Sequence, residues 1–360
     1  MSSLYVHIPF CSHICSYCDF SKVFYKEDWA DSYLDALNFE IKDKGIHQQF
    51  DTIYIGGGTP SALSISQMER LLEILKPFSH NVREYSIEVN PESMDNDKLD
   101  LIIKYGINRL SIGVQTFDDC KLKLIDRYHS SKEVIELVSN AKKRGISDIN
   151  IDLIYGLPTQ TLEDVKRDID IIKELDISHV SIYSLILEEN TKLKNIDFKP
   201  LDEDDDAKWY DYINEELEYI GFHHYEVSNY YKTKPSLHNL VYWHYYDYEG
   251  IGLGAHSLKN HYRYENTRSL KKYINCEYLK EKTFLNKEEE IFEKIMMGLR
   301  LIDGLNIQEI NTLFHIDFIE KYNYVLNKYM NMGMLELKDG YLKTTKKGMK
   351  FLNAILVDFL

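Results

Sequence analysis

The chain has 360 residues, enough for one large hydrophobic core and a second, smaller one. It carries 43 Lys and Arg against 58 Asp and Glu, a formal net charge of −15, so its surface repels phosphate backbones, which argues against nucleic acid as the main partner. With 28 tyrosines, 7 prolines and no low-complexity tract, it has the composition of a folded chain rather than a disordered one.

Short β-branched or aromatic runs alternate with amphipathic runs of helical length, six times before residue 221. Leu4–His7 reads as the first strand, followed by a helix over Trp29–Lys44 that Gly45 stops. Thr52–Ile55 is the second; its helix opens on the capping box Ser64-Ile65-Ser66-Gln67, turns Ile65, Met68, Leu71, Leu72 and Leu75 inward and ends before Pro77. Tyr85–Val89 precedes the helix Asp95–Tyr105, and Arg109–Val114 precedes Ser131–Arg144. Ile149–Ile154 leads to a helix capped by Thr161 and Asp164, with Val165, Ile169, Ile172 and Leu175 buried. His179–Leu185 and the helix Asp204–Ile220 complete the sixth pair.

This rhythm fits an open doubly wound sheet or an incomplete (β/α) barrel, and the motifs decide for the barrel, whose sites gather at the carboxyl ends of the strands. Cys11, Cys15 and Cys18 follow the first strand and Gly56-Gly57-Gly58-Thr59-Pro60 the second. Glu88 and Asn90 close the third, Gln115 the fourth, and Asp152 lies near the end of the fifth.

Cys11-x3-Cys15-x2-Cys18 carries the chemistry. A four-iron cluster takes four thiolates, so three on one loop leave one iron open to a small molecule. The same three with His7 or His13 could instead complete a tetrahedral zinc site, although zinc ligands ordinarily come as two pairs far apart in sequence. An odd number of cysteines, five, with no apolar run near 18 residues and no signal-like N-terminus, argues against disulfides and for a reducing cytosol. Cys120 and Cys276 stand alone and read as small core residues.

The glycine run meets neither the dinucleotide fingerprint nor the P-loop, because Ser61 stands at the third Rossmann glycine and no Gly-Lys-Ser/Thr follows. What it offers is backbone without a Cβ in the way of a ligand. Glu88, Gln115, Arg127 and Asp152 would bring carboxylates, an amide and a cation to the same mouth. Each alone reads equally well as a cap or a surface ion pair; their joint position favours a site.

His7-Ile8-Pro9-Phe10-Cys11-x3-Cys15-x-Tyr17-Cys18, Gly56-Gly57-Gly58-Thr59-Pro60, Gly113-Val114-Gln115 and Asp152-Leu153-Ile154-Tyr155-Gly156-Leu157-Pro158 together resemble the HemN/HemW branch of the radical SAM proteins over nearly the whole chain. The resemblance implies a [4Fe–4S] cluster on Cys11, Cys15 and Cys18 and S-adenosylmethionine (SAM) among Tyr5, Tyr17, Gly57, Gly58, Thr59 and Glu88. Gln115, Arg127 and Asp152 match SAM-contacting positions of the branch, some members of which hold a second SAM.

Two functions compete within that branch. The oxygen-independent coproporphyrinogen III oxidases continue the cysteine motif with a fourth cysteine, where this chain has Phe20. His238-Asn239-Leu240-Val241-Tyr242-Trp243 instead matches the His-Asn-x-x-Tyr-Trp motif of the branch's haem chaperones. This resemblance implies haem on His238 with Tyr242 and Trp243 along the macrocycle; His244 and His256 are rival ligands, and a packed segment with an internally bonded histidine is the plain alternative.

From about Asn286 the rhythm changes to helices and one hairpin, Leu335–Lys338 and Tyr341–Thr344 around Asp339-Gly340, followed by a helix over Lys347–Phe359. The lysines at 321, 328, 338, 343, 346, 347 and 350 read first as a solvated face, then as a contact for a membrane surface or an acidic partner, and last as a DNA surface. The expectation is an α/β chain. It comprises an incomplete (β/α)6, TIM-like radical SAM barrel (1–235), a connecting segment with the haem-type motif (236–285) and a small helical, winged-helix-like domain (286–360). The cofactors expected are a [4Fe–4S] cluster, SAM and haem. The first function is haem delivery from the cytoplasm or the membrane periphery to an acceptor protein, with a homodimer as a further partner state. Radical oxidation of a porphyrinogen, and a zinc-stabilised binding module, are the alternatives.

Overall fold

The computed structural model describes residues 1–189, 191–195 and 198–360. Six parallel strands, β1 (Ser3–Ile8), β2 (Thr52–Gly57), β3 (Glu84–Val89), β4 (Arg109–Gln115), β5 (Asp148–Tyr155) and β6 (His179–Ser184), alternate with helices α1 (Glu27–Asp43), α2 (Ile65–Leu75), α3 (Asn96–Lys104), α4 (Ser131–Lys143), α5 (Leu162–Leu175) and α6 (Glu203–Tyr219). The strands pair in chain order, Ser3 with Thr52, Thr52 with Glu84, Ser86 with Arg109, Arg109 with Asp148 and Asn150 with His179.

A period of two explains this register. Leu4, Val6, Ile53, Ile55, Ile87, Leu110, Ile112, Ile149, Ile151, Val180 and Ile182 share one buried cluster with the apolar stripes of the helices. The alternate positions, among them Tyr5, Glu88, Arg109, Ser111, Asn150, Asp152, His179 and Ser181, line a cavity on the inner face. A one-residue slip would press those charges against the helices and forfeit about 2 kcal/mol for each displaced Ile or Leu, so the pattern specifies the register strongly.

The sheet is larger than the six strands expected. Its nine strands add Glu249–Ile251, parallel to β1, at one edge and the antiparallel pair Asn229–Tyr231 and His223–Glu226 at the other. Residues 236–285 thus share the barrel's core: Ile251, Leu253 and Tyr273 are buried with the barrel residues. The buried Glu40 carboxylate of α1 ties them down, accepting from Gly252 N (2.9 Å), Asn266 Nδ2 (2.7 Å) and Tyr273 Oη (2.5 Å). A further helix, α7 (Leu237–Trp243), lies in this segment.

The C-terminal residues build their own cluster from Ile291 to Phe359 around α8 (Lys287–Gly298) and a three-stranded sheet. The hairpin forms as expected, with Asp339 (φ 52°) and Gly340 (φ 81°) in the left-handed region of a two-residue turn. Lys321, Lys328 and Lys350 pair with Glu288, Asp358 and Asp211, which leaves little free basic surface among them.

Three local expectations are corrected. Ile65 is exposed, because the capping box turns Gln67 inward to bond Tyr25 and Asp31 and so rotates Ile65 to solvent. Cys120 is exposed, since the short helix Asp119–Leu124 buries Leu122 instead. The last helix is two, Lys346–Lys350 and Leu352–Val357, interrupted at Phe351 (φ −112°, ψ 18°). Among the described residues no helix is long and apolar enough to cross a membrane.

Candidate functional site

The cysteine loop leaves β1 and is clamped at both ends. Phe10–Cys11 pairs with Val23–Phe24, and Val23 N and Tyr25 N donate to Pro9 O (2.8 Å) and Cys11 O (2.9 Å). In the middle Ser16 bonds outward in both directions, donating to Ile125 O (3.2 Å) and accepting from Leu193 N (2.8 Å). The turn after β2 meets it closely: Gly58 N donates to Ile8 O (2.8 Å) and Thr59 N to Phe10 O (2.9 Å). A Cβ on Gly58 would stand 2.7 Å from the Pro9 carbonyl and 3.0 Å from Cys11 Sγ, which is why this position takes glycine.

Cys11, Cys15 and Cys18 line one cavity of about 570 Å³ together with Tyr5, Tyr17, Gly57, Gly58, Thr59, Glu88, Gln115, Arg127 and Asp152. The residues grouped by the sequence therefore converge. Cys120 and Cys276 do not line it, so the cavity offers three thiols. Among the described residues no group of three His, Cys, Asp or Glu side chains is placed to hold a single metal ion. Donors reach the thiols: Thr59 Oγ1 to Cys11 Sγ (3.5 Å) and Arg127 Nη1 to Cys15 Sγ (3.8 Å). A relay joins them, because Arg127 Nη1 also donates to Asn90 Oδ1 (3.0 Å) and Asn90 Nδ2 to Thr59 Oγ1 (3.2 Å). Burial pushes the Cys11 thiol up to about 11, so binding to cationic iron would be what releases its proton.

Glu88 accepts from Gly57 N (2.9 Å) and Tyr54 Oη (2.8 Å), and burial, with the nearby Asp152 charge, raises it to about 7. Asp152, also raised by burial, accepts from Asn150 Nδ2 (2.8 Å) and Ser111 Oγ (3.1 Å). Gln115 sits at a β-bulge with φ 71°, an uncommon conformation for a residue with a side chain. The buried Asp168 of α5 holds the turn after it, accepting from Phe117 N (2.8 Å) and Thr116 Oγ1 (2.9 Å). The sequence reading missed Ser111, Asn150 and Asp168; for Ser111 and Asn150 the polar alternation within buried strands was a usable signal.

The haem-type motif lies on α7, at the far end of the cavity. His238 is 2% exposed and lines the cavity with Asn239 and Tyr242. Its Nδ1 meets Thr52 Oγ1 and its Nε2 meets Tyr242 Oη, each at 2.8 Å, and burial lowers it to about 3. Trp243 is not in the lining; its ring lies under Arg300, 5.6 Å away, towards the C-terminal residues. His244 lines neither cavity, whereas the exposed His256 lines a second one of about 350 Å³ that shares Tyr5, Gly57, Glu88 and Tyr242 with the first.

The Radical SAM superfamily model matches residues 5–172, and that of the HemN C-terminal domain residues 285–351. Fold and site define a radical SAM protein, a class that implies a [4Fe–4S] cluster and SAM. The chain is 37% identical to the haem chaperone HemW of Lactococcus lactis over 100% of its own length and 97% of that protein, and 33% identical to that of Escherichia coli over 99% and 98%. Coproporphyrinogen III oxidase (HemN) from Escherichia coli, a radical SAM enzyme, superposes with a TM-score of 0.88 at 25% identity, over 99% of this chain and 89% of that one. The chain belongs to the HemW haem chaperone family of radical SAM proteins.

Proposed function

We propose that this chain holds a [4Fe–4S] cluster on Cys11, Cys15 and Cys18, SAM against the open iron, and haem through His238, and that it passes the haem to an acceptor protein. The observation that carries the reading is one shared cavity, with the three thiols at one end, the SAM set along its wall and His238 at the other. In that cavity Arg127 supplies the cation that the SAM carboxylate needs, while Glu88 and Asp152 supply acceptors for its ammonium and ribose hydroxyls. A bound cluster would supply one electron at the SAM sulfonium. Phe20, 69% exposed at the cavity rim where the oxidase pattern has a fourth cysteine, favours delivery over porphyrinogen oxidation.

Anaerobic reconstitution should give about four irons and four sulfides per chain. Haem titration followed by transfer to apomyoglobin, as a surrogate acceptor, then tests delivery. His238→Ala should weaken haem binding at least tenfold; unchanged affinity removes the ligand assignment, and turnover of coproporphyrinogen III would move the reading to the oxidase.

A further inference from the structure

His238 has no free nitrogen. Thr52 Oγ1 donates its proton to Ser3 Oγ (2.8 Å), so it accepts from the imidazole, which places the ring proton on Nδ1. Nε2 therefore carries the lone pair, and the Tyr242 hydroxyl donates into it. A metal-bound histidine commonly gives its other N–H to an outer acceptor in this way, so Thr52 already holds the tautomer that an iron needs. The obstruction is Tyr242.

The histidine itself is held from several sides. Glu84, fully buried at the start of β3, accepts from Ser236 Oγ (2.9 Å), Leu237 N (2.8 Å) and His238 N (2.9 Å), which anchors the first turn of α7. The imidazole is also stacked on Tyr54, with ring centroids 5.2 Å apart. Tyr242 is held more loosely. Among the described residues its hydroxyl bonds to Nε2 alone, and its ring makes edge contacts with His238 (5.2 Å) and Tyr248 (4.8 Å). It lines both cavities, so it stands in the wall that divides them.

We propose that Tyr242 is a gate on the haem ligand: its hydroxyl occupies the His238 lone pair, and haem binds only after the phenol ring swings out of the dividing wall. This rests on the reading of His238 as ligand. The swing exchanges one hydrogen bond for an iron–nitrogen bond and joins the two cavities around Nε2. Tyr242 thereby opposes binding in the resting state, contrary to a role as a fixed platform for the macrocycle.

The sign of one substitution tests this. Tyr242→Phe keeps the ring and removes the hydroxyl, so haem should bind about three- to tenfold more tightly, the equivalent of one ordinary hydrogen bond, and associate faster. The measurement uses the full chain with its cluster reconstituted, hemin as ligand, and iron and sulfide content as the check on folding. In the double variant with His238→Ala the gain should vanish, together with the optical signature of nitrogen ligation. Unchanged or weaker binding by Tyr242→Phe, while His238→Ala alone loses haem, overturns the gate and leaves the ligand reading standing. Unchanged binding by His238→Ala overturns both.

Discussion

At the carboxyl ends of the barrel strands Glu88 and Arg127 bond to the glycine turn and the cysteine loop, with Gln115 and Asp152 in the same cavity wall, whereas at the amino ends Ser3, Thr52, Glu84, Arg109, Asn150 and His179 bond mainly to one another and to α7. Both layers come from one alternation of inward polar residues. A buried polar group is costly unless it is bonded. In the lower layer the protein supplies the partners: Arg109 pairs with Asp148 at 2.6 Å, and His179 Nδ1 meets Asn150 Oδ1 at 2.7 Å. The upper layer is bonded as well, Glu88 to Gly57 N and Tyr54 Oη and Asp152 to Asn150 and Ser111, but it stands beside the thiols. Composition is therefore a poor guide to which layer works on a ligand; proximity to the cysteine loop and the glycine turn separates them.

The largest effect expected is in the upper layer. Cys11→Ser should abolish reconstituted iron while leaving far-ultraviolet circular dichroism of the apoprotein unchanged, since among the described residues this thiol's one side-chain hydrogen-bond partner is Thr59. Retention of about four irons would place the cluster elsewhere.

Two glutamates on β3 sharpen the contrast. Glu84→Ala strands a hydroxyl and two backbone N–H groups at the start of α7 and should destabilise by about 3–5 kcal/mol, read as the midpoint of denaturant unfolding. Glu88→Ala, four residues further on and on the same face, also strands Gly57 N and Tyr54 Oη but should shift that midpoint less, because keeping its raised carboxyl charged in the fold is itself unfavourable. Its loss should appear as about tenfold weaker SAM binding. Equal stability losses for the two variants would erase the distinction between the layers.

Much of this was legible in the sequence, for reasons that also mark the limit. The six βα pairs were readable because each outward strand face and each helix stripe carries its own periodicity, and the site because its motifs fall at strand ends. Glu249–Ile251 was not readable, since three residues with a central glycine show no period. The lower layer escaped because its partners are joined only by folding: Glu84 and His238 are 154 positions apart, and Thr52 and His238 are 186. The motif at His238 could be seen, but not that both its nitrogens would be occupied.

A buried carboxyl outside both layers gives a smaller, pH-dependent effect. Glu226, 1% exposed, lies where the edge strand His223–Glu226 bridges to Leu301, and burial raises it from 4.5 to about 7. Between those values the folded chain binds a proton that the unfolded chain releases, so this group's contribution is fully present below about pH 4.5 and is lost as the pH rises through 7. Wild type should lose about 2–4 kcal/mol across that window relative to Glu226→Gln, whose amide does not titrate. Parallel stability curves for the two proteins from pH 5 to 8 would remove Glu226 as the source.

The smallest effect tests whether the upper layer depends on residues that no ligand touches. Asp168 lies on α5, outside the cavity lining, but its carboxylate holds Phe117 N and Thr116 Oγ1 and so keeps Gln115 at φ 71°. A backbone in that region persists only while its surroundings hold it. Asp168→Ala should therefore weaken SAM binding about threefold through relaxation of Gln115, with iron content unchanged. Asp168→Asn keeps one acceptor oxygen for the Phe117 amide and should recover most of that loss. A purely structural role would instead lower the unfolding midpoint in both variants and leave SAM affinity at the wild-type value, confining the upper layer to the side chains that line the cavity.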